Sequence, residues 1–259
     1  MMMQGRASKR QAYLNELGSA LTAVLSPLRI ANVLRPTLLE FWMASSSVSL
    51  SYWEVLKAAI GNEEVFANPL FDGPDSLQFA ARLRERMKVV KIAYPEICGI
   101  TEECALLYYY YVRAAKPKVV VETGVADGVS SFAILSALED NGCGRLVSFD
   151  ISPQVGAMIP GMLRGRWDLQ VLPQSHAIRE LQLRLHSLPS ADLFVHDSNH
   201  WYVHHKAELQ MGYNHLRIGG VIMSDDVDSS YAFLDFCGKV GRKPIILVTV
   251  RKLLGVILK

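Results

Sequence analysis

The sequence predicts an α/β fold: a doubly wound, mostly parallel sheet closed by a reversed strand and preceded by an N-terminal helical region. Three observations predict it. From Lys118 onward, short apolar runs alternate with helix-period segments, the signature of parallel strands covered by helices on both faces. The last two apolar runs, residues 244–250 and 253–258, are separated only by Arg251 and Lys252. No crossover helix fits there, so the two must form an antiparallel hairpin. Residues 1–100 break the rhythm: they read as helices interrupted at Pro27, Pro36, Pro69 and Pro74.

Within that N-terminal region, residues 75–90 form a helix whose Arg82, Arg84, Arg86 and Lys88 read as a solvated face rather than an anionic-substrate or membrane patch. A second helix begins near Thr101 and carries the consecutive tyrosines Tyr108, Tyr109, Tyr110 and Tyr111. Four in a row cannot share one helix face, so one or two should border a cleft while the rest pack. Residues 118–122 are the first strand, apolar through Val119, Val120 and Val121 and ending at the acid Glu122. Gly124 and Gly128 then turn the chain into a helix over 129–139. Strand, glycine turn and helix N-terminus together make a cradle for a small polar ligand. Further strands follow at 145–150, 169–172, 191–197 and 220–225, with helices at 177–186 and 202–216.

Composition narrows the function. Half of the 259 residues are hydrophobic, enough for a substantial core. A formal charge of +2 gives no reason to expect a nucleic-acid partner. The four cysteines, Cys98, Cys104, Cys143 and Cys237, lack zinc-finger spacing and read as reduced, mostly buried thiols. Arg6, Lys9 and Arg10 precede an apolar stretch at 17–25, but Asn15 and Glu16 interrupt it and no small-x-small cleavage site follows. No run of about 18 apolar residues is present, so neither a signal peptide nor a transmembrane helix is expected, and a cytoplasmic location is.

The glycine loop discriminates between ligands. Glu122-x-Gly124-x-x-x-Gly128 lacks the close G-x-G-x-x-G spacing of a dinucleotide site, and no Gly-Lys-Ser/Thr ending marks a P-loop. It resembles instead the first motif of class I S-adenosylmethionine-dependent methyltransferases. That resemblance extends over residues 101–259 and implies a Rossmann-like sheet of seven strands, the last antiparallel. It also implies a cofactor site in which Glu122 attracts the methionine ammonium, directly or through water, Gly124 and Gly128 permit close backbone approach, and Ser130 with helix N–H groups holds the carboxylate. Asp150, ending the second strand, would accept the ribose hydroxyls. Ser175, between Gln174 and His176 after the third strand, stands where the family contacts adenine.

A second constellation follows the fourth and fifth strands, whose ends open onto the same edge of a parallel sheet. Asp197, Asp225 and Asp226 can therefore converge, and three oxygen donors suit Mg²⁺. The pattern is similar to that of metal-dependent small-molecule O-methyltransferases of the sugar, macrolide and catechol types. In the sugar and macrolide enzymes a histidine in the position of His200 is the general base, whereas catechol-type relatives have lysine there. Asp225-Asp226 departs from the Asp-Asn of many catechol enzymes and favours the sugar type. Trp201 and Tyr202, flanking His200, are candidates for a substrate wall. His196, His200, His204 and His205 also admit a transition-metal site, but H-x-x-x-H without a catalytic Glu argues weakly for one, and His204 and His205 read as surface residues.

The resemblance thus implies methyl transfer to a hydroxyl of a small molecule, Mg²⁺-assisted. Residues 1–100 would supply a helical cap or lid and homo-oligomer contacts. Two other functions compete with it: an NAD-type oxidoreductase, disfavoured by the glycine spacing, and a non-catalytic S-adenosylmethionine-binding module.

Overall fold

The computed structural model describes residues 35–61, 75–95 and 99–259. The apolar stretch at 17–25 with the basic residues before it, Pro27, Pro69, Pro74 and Cys98 lie outside the described residues. One eight-stranded sheet organises the chain, with strands β1 (Ser47–Ser49), β2 (Val119–Thr123), β3 (Arg145–Asp150), β4 (Trp167–Val171), β5 (Ala191–His196), β6 (Leu216–Ser224), β7 (Ile245–Val248) and β8 (Leu253–Leu258). Their spatial order is β1-β7-β8-β6-β5-β2-β3-β4. Only β8 runs antiparallel to its neighbours, β6 and β7; every other pairing is parallel. The terminal hairpin is therefore present, and its second strand is threaded between β6 and β7.

One strand more than expected comes from the N-terminal region. β1 pairs with β7 through Ser47–Ile245, Val48–Ile246 and Ser49–Leu247. It covers backbone groups of β7 that would otherwise form an open sheet edge. Three residues are too few to display a two-residue period, so sequence patterning could not reveal it.

The helices are α1 (Leu38–Ala44), α2 (Tyr52–Ile60), α3 (Asp75–Val89), α4 (Glu102–Ala115), α5 (Val129–Asp140), α6 (Ala177–His186), α7 (Tyr202–His215) and α8 (Ala232–Val240). Two apolar cores lie on the two faces of the sheet. The first joins α2, α3, α4 and α5 to residues such as Val120 and Leu193, and the second joins α1, α6, α7 and α8 to Val121 and Phe194. Adjacent strand residues thus enter opposite cores, as the pleat requires.

Helix α4 is capped by Thr101, whose hydroxyl accepts the Cys104 N–H. All four of its tyrosines are buried, with Phe79 stacked on Tyr109 at 4.1 Å between ring centroids. None of them lines the cleft described below, because α2 and α3 on one side and α5 on the other enclose the helix. Nor is the basic face of α3 simply solvated. Arg82 donates to Asp140 at 2.6 Å, Arg84 to Glu102 at 2.5 Å, and Arg86 Nε to the Met158 carbonyl at 2.9 Å. Of the described cysteines, Cys104 and Cys237 are buried, Cys143 is exposed, and all three are free thiols. No described helix is long and apolar enough to cross a membrane.

Candidate active site

Parallel strands deliver their C-terminal ends to one edge, and there β2, β3, β5 and β6 frame a cleft of about 1030 Å³. Gly124, Asp150, Asp197, His200, Trp201 and Asp226 are among the residues lining it. The glycine requirement is concrete at Gly124, where φ is +81° and a Cβ would stand 1.9 Å from the Asp197 carbonyl oxygen. The β2 and β5 loops approach each other there as closely as backbones can. Gly128, at φ +84°, caps α5 and lies away from the cleft wall, against Gly156.

Asp150 faces the cleft with a fixed carboxylate: Oδ2 accepts the Val125 N–H at 2.8 Å and Oδ1 the Ser152 N–H at 2.9 Å. Each oxygen keeps a further lone pair for a ligand hydroxyl. Glu122 is placed otherwise. Fully buried, it accepts hydrogen bonds from Ser130 at 2.7 Å, Ser131 at 2.7 Å and Ser148 at 2.6 Å. Trp167 extends this chain by donating to Ser148 at 2.9 Å. The carboxylate braces β2, β3 and α5 internally, so a direct ammonium contact by Glu122 and a carboxylate contact by Ser130 do not fit their placement. Burial raises the Glu122 pKa, opposed by the serine donors. Ser175 is also turned away: exposed, it bonds His176 Nδ1 at 2.6 Å, while Gln174 and Leu172 line the cleft.

At the other end of the cleft, His200 Nε2 lies 3.6 Å from Asp197 Oδ1 and 3.5 Å from Asp226 Oδ2. Both distances exceed a good hydrogen bond and leave the nitrogen available to a hydroxyl between the acids. Burial holds the imidazole below its ordinary value, against the pull of Asp226 and Asp225. Burial also pushes Asp197 up to about 8, opposed by Lys252 and reinforced by Asp226. The three aspartates do converge, but Asp225 points beneath the cleft, fully buried, and ion-pairs with Lys252. The Lys252 ammonium lies also 3.6 Å from Asp226 Oδ2. A divalent ion would have to displace this ammonium, so the residues as arranged do not fit Mg²⁺.

The histidines form a cluster of their own. His205 is buried, not a surface residue, and bonds Ser224 at 2.8 Å. His196 stacks on it at 4.1 Å with 17° between the rings, and His200 stands edge-on to both. Ring nitrogens of His196, His200 and His205 come within 4.8 Å of one another. The near-parallel rings of His196 and His205 cannot both hold one ion in their planes, as imidazole coordination requires.

Sequence reasoning missed three participants. Glu208, on α7, is a buried carboxylate that accepts from Thr123 at 2.6 Å and Ser198 at 2.9 Å and pairs with His196 at 2.8 Å and His204 at 2.7 Å. Its place one helical turn after His204, in an H-x-x-x-E pair, was the available signal. Asp127 accepts the backbone N–H groups of Ala93 and Tyr94 at 2.9 and 3.0 Å, drawing Tyr94 to the cleft wall. Lys252 stood in the hairpin turn, where charge is ordinarily solvated. Of the expected aromatic wall, Trp201 lines the cleft, whereas the Tyr202 hydroxyl is engaged by Asp235 and Lys206.

Comparison with known proteins agrees with this geometry. Residues 121–227 match the family model described as a methyltransferase domain. A search of curated proteins returns no match. Among solved structures, a methyltransferase of Podospora anserina, PaMTH1 with SAH bound, superposes with a TM-score of 0.51 at 17% identity, covering 72% of this chain and 88% of that one. An O-methyltransferase of Bacillus cereus in complex with SAH gives 0.52 at 12% identity, covering 73% and 95%. TomG of Streptomyces achromogenes, an O-methyltransferase involved in tomaymycin synthesis and solved with SAM, gives 0.51 at 15% identity, covering 71% and 87%. At these identities the likeness is one of fold. The sheet order, the cleft and the matched region together lead to one conclusion: residues 121–227 match a methyltransferase domain, set in a chain that shares the fold of these solved methyltransferases.

Proposed function

We propose that the protein is an S-adenosylmethionine-dependent O-methyltransferase acting on a hydroxyl of a small molecule. The observation that supports this reading is that one cleft holds both Asp150, its carboxylate fixed by two backbone N–H groups, and His200, whose Nε2 lies between Asp197 and Asp226. Asp150 would hold the adenosine hydroxyls, and the Gly124 turn would admit the methionine end close to the backbone. Bound S-adenosylmethionine supplies an electrophilic methyl on a sulfonium. His200 Nε2 would take the acceptor's proton as its oxygen forms the new bond to carbon, while the C–S electron pair stays with sulfur and leaves SAH. Trp201, 72% exposed at the mouth, offers an apolar wall for the acceptor. The N-terminal segments would act as its cap, since Arg35 and Tyr94 both reach the cleft.

Isothermal titration with SAH tests the reading. Wild-type protein is expected to bind, and Asp150→Ala to bind about 10- to 100-fold more weakly, the worth of hydrogen bonds to a charged group. NAD binding in place of SAH binding would overturn it. SAH binding with no turnover across a panel of hydroxyl compounds would reduce the protein to a binding module.

A further inference from the structure

On that reading, on which the assignment of Lys252 rests, His200 works beside an acidic end of the cleft whose negative charge must be balanced. Asp225 and Asp226 are consecutive, yet they point to different places. Asp226 has φ +47°, a left-handed conformation that Asp tolerates better than most residues, and this turn sends it to the cleft while Asp225 goes beneath. What meets Asp225 there is Lys252, only 7% exposed.

The lysine is delivered by rigid structure. In the turn between β7 and β8, the Thr249 N–H and hydroxyl donate to the Lys252 carbonyl at 3.0 and 2.9 Å. The Lys252 N–H in turn donates to Thr249 Oγ1 at 3.2 Å. The loop after β6 is stitched to the same turn: the Val227 N–H donates to the Leu253 carbonyl at 3.1 Å, and the Leu253 N–H to Asp228 Oδ1 at 3.2 Å. Carboxylates and ammonium therefore arrive on backbones bonded to one another.

Three carboxyl groups meet here, Asp225 fully buried and Asp197 and Asp226 partly so, and whatever share of them is ionised needs positive charge, from a metal ion or from the protein. An ammonium supplies a compact charge with three donors. A divalent ion seated among the same oxygens would face that ammonium at contact range in a poorly screened site. We propose that Lys252 is the resident cation of this site: it positions Asp225 and Asp226 and allows His200 to work on the acceptor hydroxyl without a divalent metal.

The test uses Mn²⁺ as probe, read by electron paramagnetic resonance on the full chain, which needs no acceptor and no turnover. Wild-type protein should leave the Mn²⁺ signal that of the free ion. Lys252→Met should bind Mn²⁺ at least tenfold more tightly, and Lys252→Arg, which keeps the charge, should not. Tight Mn²⁺ binding by wild type that a folded Asp226→Asn protein loses would overturn the proposal, whatever the Lys252 variants do. So would a Lys252→Met protein that folds and gains no affinity. SAH titration in EDTA separates the two readings. SAH bound in EDTA alongside Mn²⁺ held by wild type defeats the lysine role alone, whereas no SAH binding in EDTA or in Mg²⁺ defeats the methyltransferase reading. Once an acceptor is known, transfer should be unchanged by EDTA; activity lost in EDTA and restored by Mg²⁺ would refute the proposal.

Discussion

Glu122 and Asp225 are both carboxylates with no solvent exposure near strand ends of the same sheet, yet the protein neutralises them by opposite means. Around Glu122 there are only neutral donors, the hydroxyls of Ser130, Ser131 and Ser148, which serve to lock a loop. Beside Asp225 there is a full ammonium, and Asp226, Asp197 and His200 lie in its field. The contrast separates a structural acid from an electrostatic one. A hydroxyl-satisfied carboxylate can lose its charge and keep its bonds. A carboxylate beside a buried lysine is held toward its charged form by that lysine, against the burial and the neighbouring acids that push its pKa up, so removing it leaves the lysine poorly paired.

The largest effect should fall on the catalytic side of that contrast. His200→Ala is expected to lower kcat by about 10²- to 10⁴-fold, the usual worth of a general base, with SAH affinity unchanged by titration. In the wild type, the acid limb of the kcat/KM profile should have its midpoint below the ordinary histidine value of 6.5, because burial favours the neutral, basic form. A midpoint above it would remove His200 from the role. Next in size, Asp225→Asn should destabilise the fold by about 3–5 kcal/mol in urea unfolding, since it leaves buried Lys252 only Asp226, at 3.6 Å, as a charged partner. Glu122→Gln, which keeps the shape and one acceptor oxygen while its NH₂ can donate to a reoriented serine hydroxyl, should cost about 1–3 kcal/mol. If the two costs were equal, the distinction drawn between the two acids would fail.

The smallest expected effect is on stability against pH. Burial holds His196 and His205 below the ordinary value of 6.5, His205 well below it. The unfolded chain then binds more protons than the folded one once the pH drops below 6.5. Stability should be full above that value and fall on acidification, by up to about 1.4 kcal/mol per pH unit for each group. Thermal melts at about pH 7.5 and 5.5 with wild type and His205→Gln would read this, the variant showing the shallower loss. A wild-type melt flat across that interval would contradict the neutral, buried pair.

Much of this protein was legible in its sequence, for definite reasons. Short apolar runs and helix-period segments over residues 118–258 located the seven strands of the main run and the helices at 129–139, 177–186 and 202–216, though not α8, because such patterning is written locally. Helix 177–186 matches α6 residue for residue, and the two-residue gap at Arg251 and Lys252 dictated the reversed strand. Gly124 was legible as a close approach, although the Asp197 carbonyl it must clear lies more than seventy residues away. Strand ends told which acids would share an edge.

What sequence could not tell was which way each side chain at that edge turns and what it meets. Glu122 is the acid of a ligand loop by pattern, but the serines of α5 and β3 reach it first. His205 reads as a surface residue until α7 lies against β6 and presents it to Ser224. Lys252 reads as the polar tip of a hairpin until β8 threads between β6 and β7 and carries that tip under Asp225. Local periodicity determined the elements and the edge on which chemistry would gather. Only the tertiary structure decided the charge balance there, because burial and pairing depend on residues that meet from distant parts of the chain.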